Sequence, residues 1–167
     1  QMLALARVHD ASLAEGGLPF VRTDLAELAG ECVRSLLPAA RAKQLDYGIE
    51  ASGEALWMPG LPVLLREAVL NLLDNAIRHT PHGTRIQIIL AASHGEVAAE
   101  IRDNGPGIPA EQRGALFVYA PALRRVGSEA GGLGLIVVRR LLQLNRGDIE
   151  YVETESGTTF RFHLPAA

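Results

Sequence analysis

"LPVLLREAVLNLLDNAIRHTP", residues 61–81, carries the strongest periodicity in the chain. Leu61, Leu64, Leu65, Ala68, Val69, Leu72, Leu73, Ala76 and Ile77 recur at three- and four-residue spacing, which is how an apolar stripe runs along one side of an α-helix. The spacing predicts a helix over about 61–79 with its stripe buried on a second layer. At about 100° per residue, Glu67, Asn71, Asp74, Asn75 and Arg78 share a side opposite the stripe or at its edge. Charged residues there describe an ordinary solvated face. Two asparagines one turn apart do not, because the Asn amide competes for backbone hydrogen bonds and disfavours helix interiors. Their neutral amide oxygens are hard ligands of the kind Mg²⁺ takes, alongside phosphate and water.

Upstream, "QMLALARVHDA" (1–11) reads as the end of a helix and "SLAEGGLP" (12–19) as a linker. A short strand near 19–23 leads to Asp24, a good N-cap for a helix reaching about Arg41. "LDYGIEA" (45–51) and "EALWMPG" (54–60) read as two short strands about a Ser52–Gly53 turn. Downstream, "TRIQIILAA" (84–92) and "EVAAEIRD" (96–103) form a hairpin around His94–Gly95. "GDIEYVET" (147–154) and "TTFRFHL" (158–164) form a second. Between the hairpins, 109–131 is punctuated by Pro and Gly, and a helix runs from near Gly132 to about Asn145. This mixture of helices and hairpins predicts an α+β layer of sheet and helices.

The 167 residues suit one domain with a short appendage. Hydrophobic and charged fractions of 48% and 21% place the chain with ordinary globular proteins, not disordered ones. A net charge of −3 gives no general electrostatic reason to bind nucleic acid. No apolar stretch approaches the roughly 20 residues of a membrane span, and no signal-peptide pattern opens the chain. Because it begins at Gln1, the expectation is a fragment of something longer. The single cysteine, Cys32, excludes an internal disulfide and a cysteine-based zinc site. It is expected in the core, with Leu25, Leu28, Ala29, Val33, Leu36 and Leu37 at helical spacing around it. Basic charge is almost all arginine, Lys43 being the only lysine, a bias attributed to coding before function.

Two further segments carry chemistry. "DNGPGIP" (103–109) directly follows a strand. Asp103 ends that strand with a carboxylate able to accept from an amino group, Gly105 and Gly107 permit close approach or positive φ, and Pro109 suits a helix start. Taken alone, this is also a common tight turn. "GGLGLIVVRRLL" (131–142) places Gly131, Gly132 and Gly134 at the start of an apolar helix, where exposed N–H groups favour an anion such as phosphate. It is neither a Walker loop nor a dinucleotide fingerprint.

In this order and spacing the segments are far more specific than singly. "REAVLNLLDNAIRHTP" (66–81), "DNGPGIP", "GGLGLIVVRRLL" and "GTTF" (157–160) resemble the N box, the two glycine boxes and the pocket-completing strand of the catalytic ATP-binding domain of bacterial sensor histidine kinases. That superfamily also holds DNA gyrase B, MutL and a heat-shock chaperone. The resemblance covers about residues 20–165. It implies a two-layer α/β sandwich, a mixed and mostly antiparallel sheet packed on three main helices, with 19–167 as the catalytic domain. Residues 1–18 would be the end of a dimerisation helix and a linker. It further implies ATP and Mg²⁺ as cofactors, with Asn75 coordinating the metal and Asn71 assisting. Arg78 would reach phosphate and His79 would lie near the nucleotide. Asp103 would read the adenine amino group, with Thr158 beneath it through water. Gly105, Gly107 and Ile108 would line base and sugar; Gly132, Leu133, Gly134 and Leu135 would lie under the phosphates at a lid of roughly 110–131.

The implied reaction carries the γ-phosphoryl of ATP to a histidine on a separate dimerisation domain that this chain lacks. Its partners would be that domain and a downstream response regulator, in a homodimer whose full-length form sits in the bacterial inner membrane with this domain in the cytoplasm. Neither nucleic acid nor the membrane itself is expected to touch the fragment. Gyrase-type members use a glutamate one turn before the metal asparagine to activate water. Here that position is Asn71, with Glu67 a further turn back, which favours transfer over hydrolysis. His9 lacks the acceptor motif around it, and His82, His94 and His163 show no metal-ligand spacing. Departures concentrate in the lid: after Leu116–Phe117 comes "VYAPALRR", so Ala120 or Tyr119 stands for a second phenylalanine and Arg124 or Arg125 for a basic contact. Ala130 replaces the first glycine of the second box, and Leu61 replaces an acidic residue common before the N box. The altered lid leaves a non-catalytic ATP-sensing or interaction module as the alternative. A gyrase-like ATPase and an anti-sigma serine kinase come after it.

Overall fold

The computed structural model describes residues 19–51, 55–118 and 134–167. The elements in chain order are β1 (Val21–Asp24), α1 (Leu25–Ala42), β2 (Asp46–Ala51), β3 (Trp57–Gly60), α2 (Pro62–His79), β4 (Arg85–Ser93), β5 (Glu96–Asp103), α3 (Ala110–Arg113), α4 (Gly134–Leu144), β6 (Asp148–Val152) and β7 (Thr158–Pro165). A five-stranded sheet runs β2-β4-β5-β7-β6, and β1 pairs with β3 in a separate two-stranded ribbon. Only β2–β4 is parallel; the other pairs in the sheet are antiparallel. The expected two-layer α+β sandwich on three long helices is the architecture found.

Strict alternation builds the layers. Ile86, Ile88 and Leu90 on β4, Val97, Ala99 and Ile101 on β5, and Phe160, Phe162 and Leu164 on β7 are all buried, so one face of the sheet meets the helices. The stripe of α2 is buried as its period requires, and α2 touches both α1 and α4. Each such leucine contributes about 2 kcal/mol when fully removed from water. Cys32 is in this core, and burial pushes its thiol up to about 11. On the opposite face Glu100 accepts from Arg161 and from Arg102. Burial alone would raise the Glu100 carboxyl; the two arginines outweigh it and hold it below its ordinary value.

Asp24 caps α1 as expected, accepting from Ala26 N–H at 2.9 Å, and the same oxygen accepts from Leu56 N–H at 3.1 Å. The His94–Gly95 hairpin forms with both residues at positive φ, which a two-residue turn between twisted strands demands. β6 and β7 pair as the second hairpin.

The two strands expected about Ser52–Gly53 are both found, the turn itself lying outside the described residues, and they take different partners. β2 joins β4 in parallel, because the intervening α2 supplies the long crossover that a parallel pair needs. β3 joins β1, and its Pro59, which has no N–H to give a ladder, suits that edge position.

Candidate functional site

Asp103 is the last residue of β5, the central strand. Antiparallel neighbours place it opposite Ile86 on one side and Thr158, the first residue of β7, on the other. The chain turns immediately. The N–H groups of Gly105 and Thr158 donate to Asp103 Oδ1 at 2.9 and 3.2 Å. Burial pushes the carboxyl above its usual range, against the pull of these donors and of nearby His79. Half-buried and held on one oxygen by backbone, this group can accept a hydrogen bond from an incoming amino group.

Two glycines make the arrangement possible. A Cβ on Gly157, whose φ is +74°, would lie 1.8 Å from the Asp103 carbonyl oxygen. Gly107, at φ +75°, would bring its Cβ to 2.9 Å from the Gly157 carbonyl oxygen. The loop after β5 and the start of β7 thus interlock backbone against backbone. Gly105 has little room either, its Cβ position lying 2.9 Å from Asp103 Oδ1.

The residues just past α2 meet this loop. Thr80 is buried, and both its N–H and its hydroxyl donate to the Ala76 carbonyl, at 3.1 and 2.7 Å. Its methyl group and Pro81 Cδ lie 3.3 and 3.6 Å from the Gly105 Cβ position. His79, one turn after half-buried Asn75, acts electrostatically on Asp103. Asn71 donates its Nδ2 to the Glu67 carbonyl at 2.8 Å and to Glu67 Oε1 at 3.3 Å, so its amide nitrogen is engaged within its own helix. Arg78 is exposed and pairs with Asp74 of its own helix at 2.8 Å. Such an i,i+4 surface pair is worth only a few tenths of a kcal/mol, about 0.3–0.5, and yields readily to a stronger anion.

Asp103, Gly105, Gly107, Gly157 and Thr158 are thus brought together at the end of β5, and the segment just past α2, Thr80 and Pro81, touches them, with Asn71, Asn75, Arg78 and His79 ranged back along that helix. Ile108 packs half-buried against the core, Gly134 opens α4 and Leu135 is buried behind it. Gly132 and Leu133 lie outside the described residues, as do His9, Tyr119, Ala120, Arg124, Arg125 and Ala130. Leu116 and Phe117 pack on the core, the Phe117 ring standing edge-on to Phe160 at 6.0 Å. A cavity of about 360 Å³ opens on the helix-free face of the sheet, between Arg85, Gln87, Arg102, Asp103 and Arg161. No α2 residue lines it, so it is separate from the amide face. Among the described residues no group of three or more His, Cys, Asp or Glu could hold a metal ion; a metal here would rely on amide oxygens.

Three residues that matter leave no mark in the sequence pattern. Thr80 links the helix to the loop. Asn145, fully buried, accepts from Leu61 N–H at 2.7 Å and donates to the Leu141 carbonyl at 2.9 Å, tying the end of α4 to the start of α2. Its contact with Leu61 satisfies a helix-start N–H that the Leu61 side chain cannot cap. Lys43 is the third.

A family model described as histidine kinase-, DNA gyrase B- and HSP90-like ATPase matches residues 60–167. The adaptive-response sensory kinase SasA of Synechococcus sp. (strain JA-3-3Ab) is 35% identical over 158 residues, 92% of this chain and 42% of that protein. The sensor protein kinase PmrB of Pseudomonas aeruginosa is 32% identical over 152 residues, 89% of this chain and 30% of that one. The chain thus spans less than half the length of these curated relatives. Among solved structures, the nucleotide-free catalytic domain of histidine kinase ThkA superposes with a TM-score of 0.79 at 26% identity, covering 89% of this chain and 96% of that one.

Proposed function

The chain belongs to the histidine kinase-, DNA gyrase B- and HSP90-like ATPases, and within that family we propose that it binds Mg-ATP and passes the γ-phosphoryl to a histidine on a separate domain. The observation that carries this reading is the contact of Thr80 and Pro81, which directly follow the asparagine-bearing α2, with the Gly105 turn beside Asp103. Base recognition and phosphate chemistry then share one site. Asp103 accepts from the adenine amino group, and Thr158 steadies the carboxyl. Asn75 and Asn71 offer the hard oxygens that suit Mg²⁺, whose remaining ligands are phosphate and water. When bound, the ion neutralises charge on the β- and γ-phosphates. Arg78 swings from Asp74 to a phosphate oxygen, and His79 lies along the nucleotide. Gly132, Leu133, Gly134 and Leu135 are proposed under the phosphates.

Transfer is favoured over hydrolysis by the state of Glu67. Its carbonyl and carboxylate both receive the Asn71 amide, so it orients Asn71 instead of activating water. In the step itself the bond from the γ-phosphorus to the bridging oxygen breaks and a bond to an imidazole nitrogen forms. ADP leaves, and the imidazole proton passes to a base on the acceptor domain. Residues 19–167 are taken as the catalytic domain and 1–18 as the end of a dimerisation helix with its linker. The longer protein would be a homodimer in the bacterial inner membrane, passing phosphate to a response regulator, with this domain on the ATP-supplied cytoplasmic side. No helix of the described residues is long and apolar enough to cross a membrane.

The test is to mix the chain with γ-labelled ATP, Mg²⁺ and a cognate dimerisation domain. Acid-labile label on that domain is the expected result, with none on the chain alone. ATP bound but no label transferred would favour the ATP-sensing module instead.

The pH dependence of base binding follows from Asp103. Its pKa is raised in the folded chain, so its contribution to stability is full below the ordinary Asp value of 3.8 and is lost as pH rises through the raised value. The ligand needs the ionised acceptor, which protonation removes. Adenosine affinity is expected to fall on acidification before the pH reaches 3.8. Calorimetric titration from about pH 7 to about pH 4 checks this; a flat profile would remove Asp103 from the base.

A further inference from the structure

Lys43, the single lysine of the chain, has no part in the chemistry above. It closes α1 from the C-cap position and extends to the far end of a different helix. Its Nζ donates to the carbonyls of Ile77 at 2.7 Å, Arg78 at 3.1 Å and Thr80 at 2.7 Å. An ammonium has three donors, and all three are spent on the last turn of α2. The backbone of Lys43 joins in, its carbonyl accepting from Gly83 N–H at 3.2 Å. Carbonyls at a helix C-terminus lack intrahelical partners and carry partial negative charge, so a cation with this reach closes the helix and fixes where it ends.

What lies at that end makes the contact more than a cap. Arg78 and His79 are the gripped residues or sit between them, and Asn75 is one turn back. Thr80, gripped by its carbonyl, presses its methyl against the Gly105 turn beside Asp103. We infer that Lys43 is a positioning residue that fixes the spacing between the metal-and-phosphate half of the site on α2 and the base half at Asp103. The inference rests on the Mg-ATP reading and deepens it. A ligand that uses only the base half would be indifferent to this spacing, whereas one that spans both halves would depend on it.

Binding of adenosine and of Mg-ATP to the 167-residue chain, each measured by calorimetry well below the unfolding midpoint, separates the possibilities. Lys43→Met is expected to weaken Mg-ATP about tenfold and to leave adenosine within about twofold of wild type. Lys43→Arg, which keeps charge and several donors, is expected to restore most of the Mg-ATP affinity. A purely structural role would lower the midpoint but weaken both ligands alike or neither, and either pattern overturns the inference. Should Lys43→Met not fold, Lys43→Gln is read by the same criteria, and failure of both to fold counts against positioning. If wild type binds no Mg-ATP, the underlying reading has failed and takes this inference with it. Wild-type binding with an indifferent Lys43→Met overturns this inference alone.

Discussion

Asn75→Ala is expected to abolish the Mg²⁺-dependent part of ATP affinity and to lower phosphoryl transfer by about 100-fold or more, the scale at which a preorganised group acting on developing charge is lost. The fold should be untouched. Asn75 is half-buried at the edge of the α2 stripe, and alanine is the better helix former. The decisive comparison is ATP affinity with and without Mg²⁺ in both proteins. Equal affinity under all four conditions would mean that the α2 amides do not hold the metal, and the transfer mechanism would lose its basis.

Gly157→Ala should be the most damaging single methyl group in the described chain. The new Cβ would sit 1.8 Å from the Asp103 carbonyl oxygen, 2.7 Å from its carbon and 2.9 Å from Asn104 Cα, at a φ of +74°. Because backbone lies on both sides, no side chain can rotate away. We expect a loss of about 3–5 kcal/mol and a fall in unfolding midpoint of roughly 10–15 °C for a chain this long, with loss of adenosine binding in whatever remains folded. Gly95→Ala serves as control. Its φ is +83° but nothing lies within 4 Å of its Cβ position, so it bears conformational strain alone and should cost about 1 kcal/mol. If the two variants proved alike, the interlock between the β5 loop and β7 would not be what Gly157 is there for.

The parts of this molecule that local pattern specifies were legible in the sequence. The stripe of α2 placed its helix to within a residue, Asp24 capped α1, and His94–Gly95 turned the β4–β5 hairpin, because period and turn chemistry act over a few neighbours. The motif residues of the proposed site came from resemblance, and the meeting of Asp103 with Thr158 depended on the antiparallel register of β5 and β7. What stayed hidden was non-local. The pairing of β2 with β4 and of β3 with β1 depends on a crossover, not on the Ser52–Gly53 turn signal. Lys43 looked like a compositional accident because its carbonyl partners lie 34 to 37 residues away. Asn145 looked like a helix end, and its partner at Leu61 is 84 residues distant. Neither contact leaves a periodic trace.

Asn145 at one extremity and Lys43 at the other mean that α2 is clamped by foreign side chains at both ends. A rod so clamped resists sliding along its axis, so under the proposed function the reach from its amides to the base is set by the fold. Accommodation of a longer or shorter phosphate chain therefore falls to side-chain torsions, and Asn71 has already committed its own to Glu67. Under the proposed function the site would act as a gauge of set span, with Asn75 as its adjustable contact.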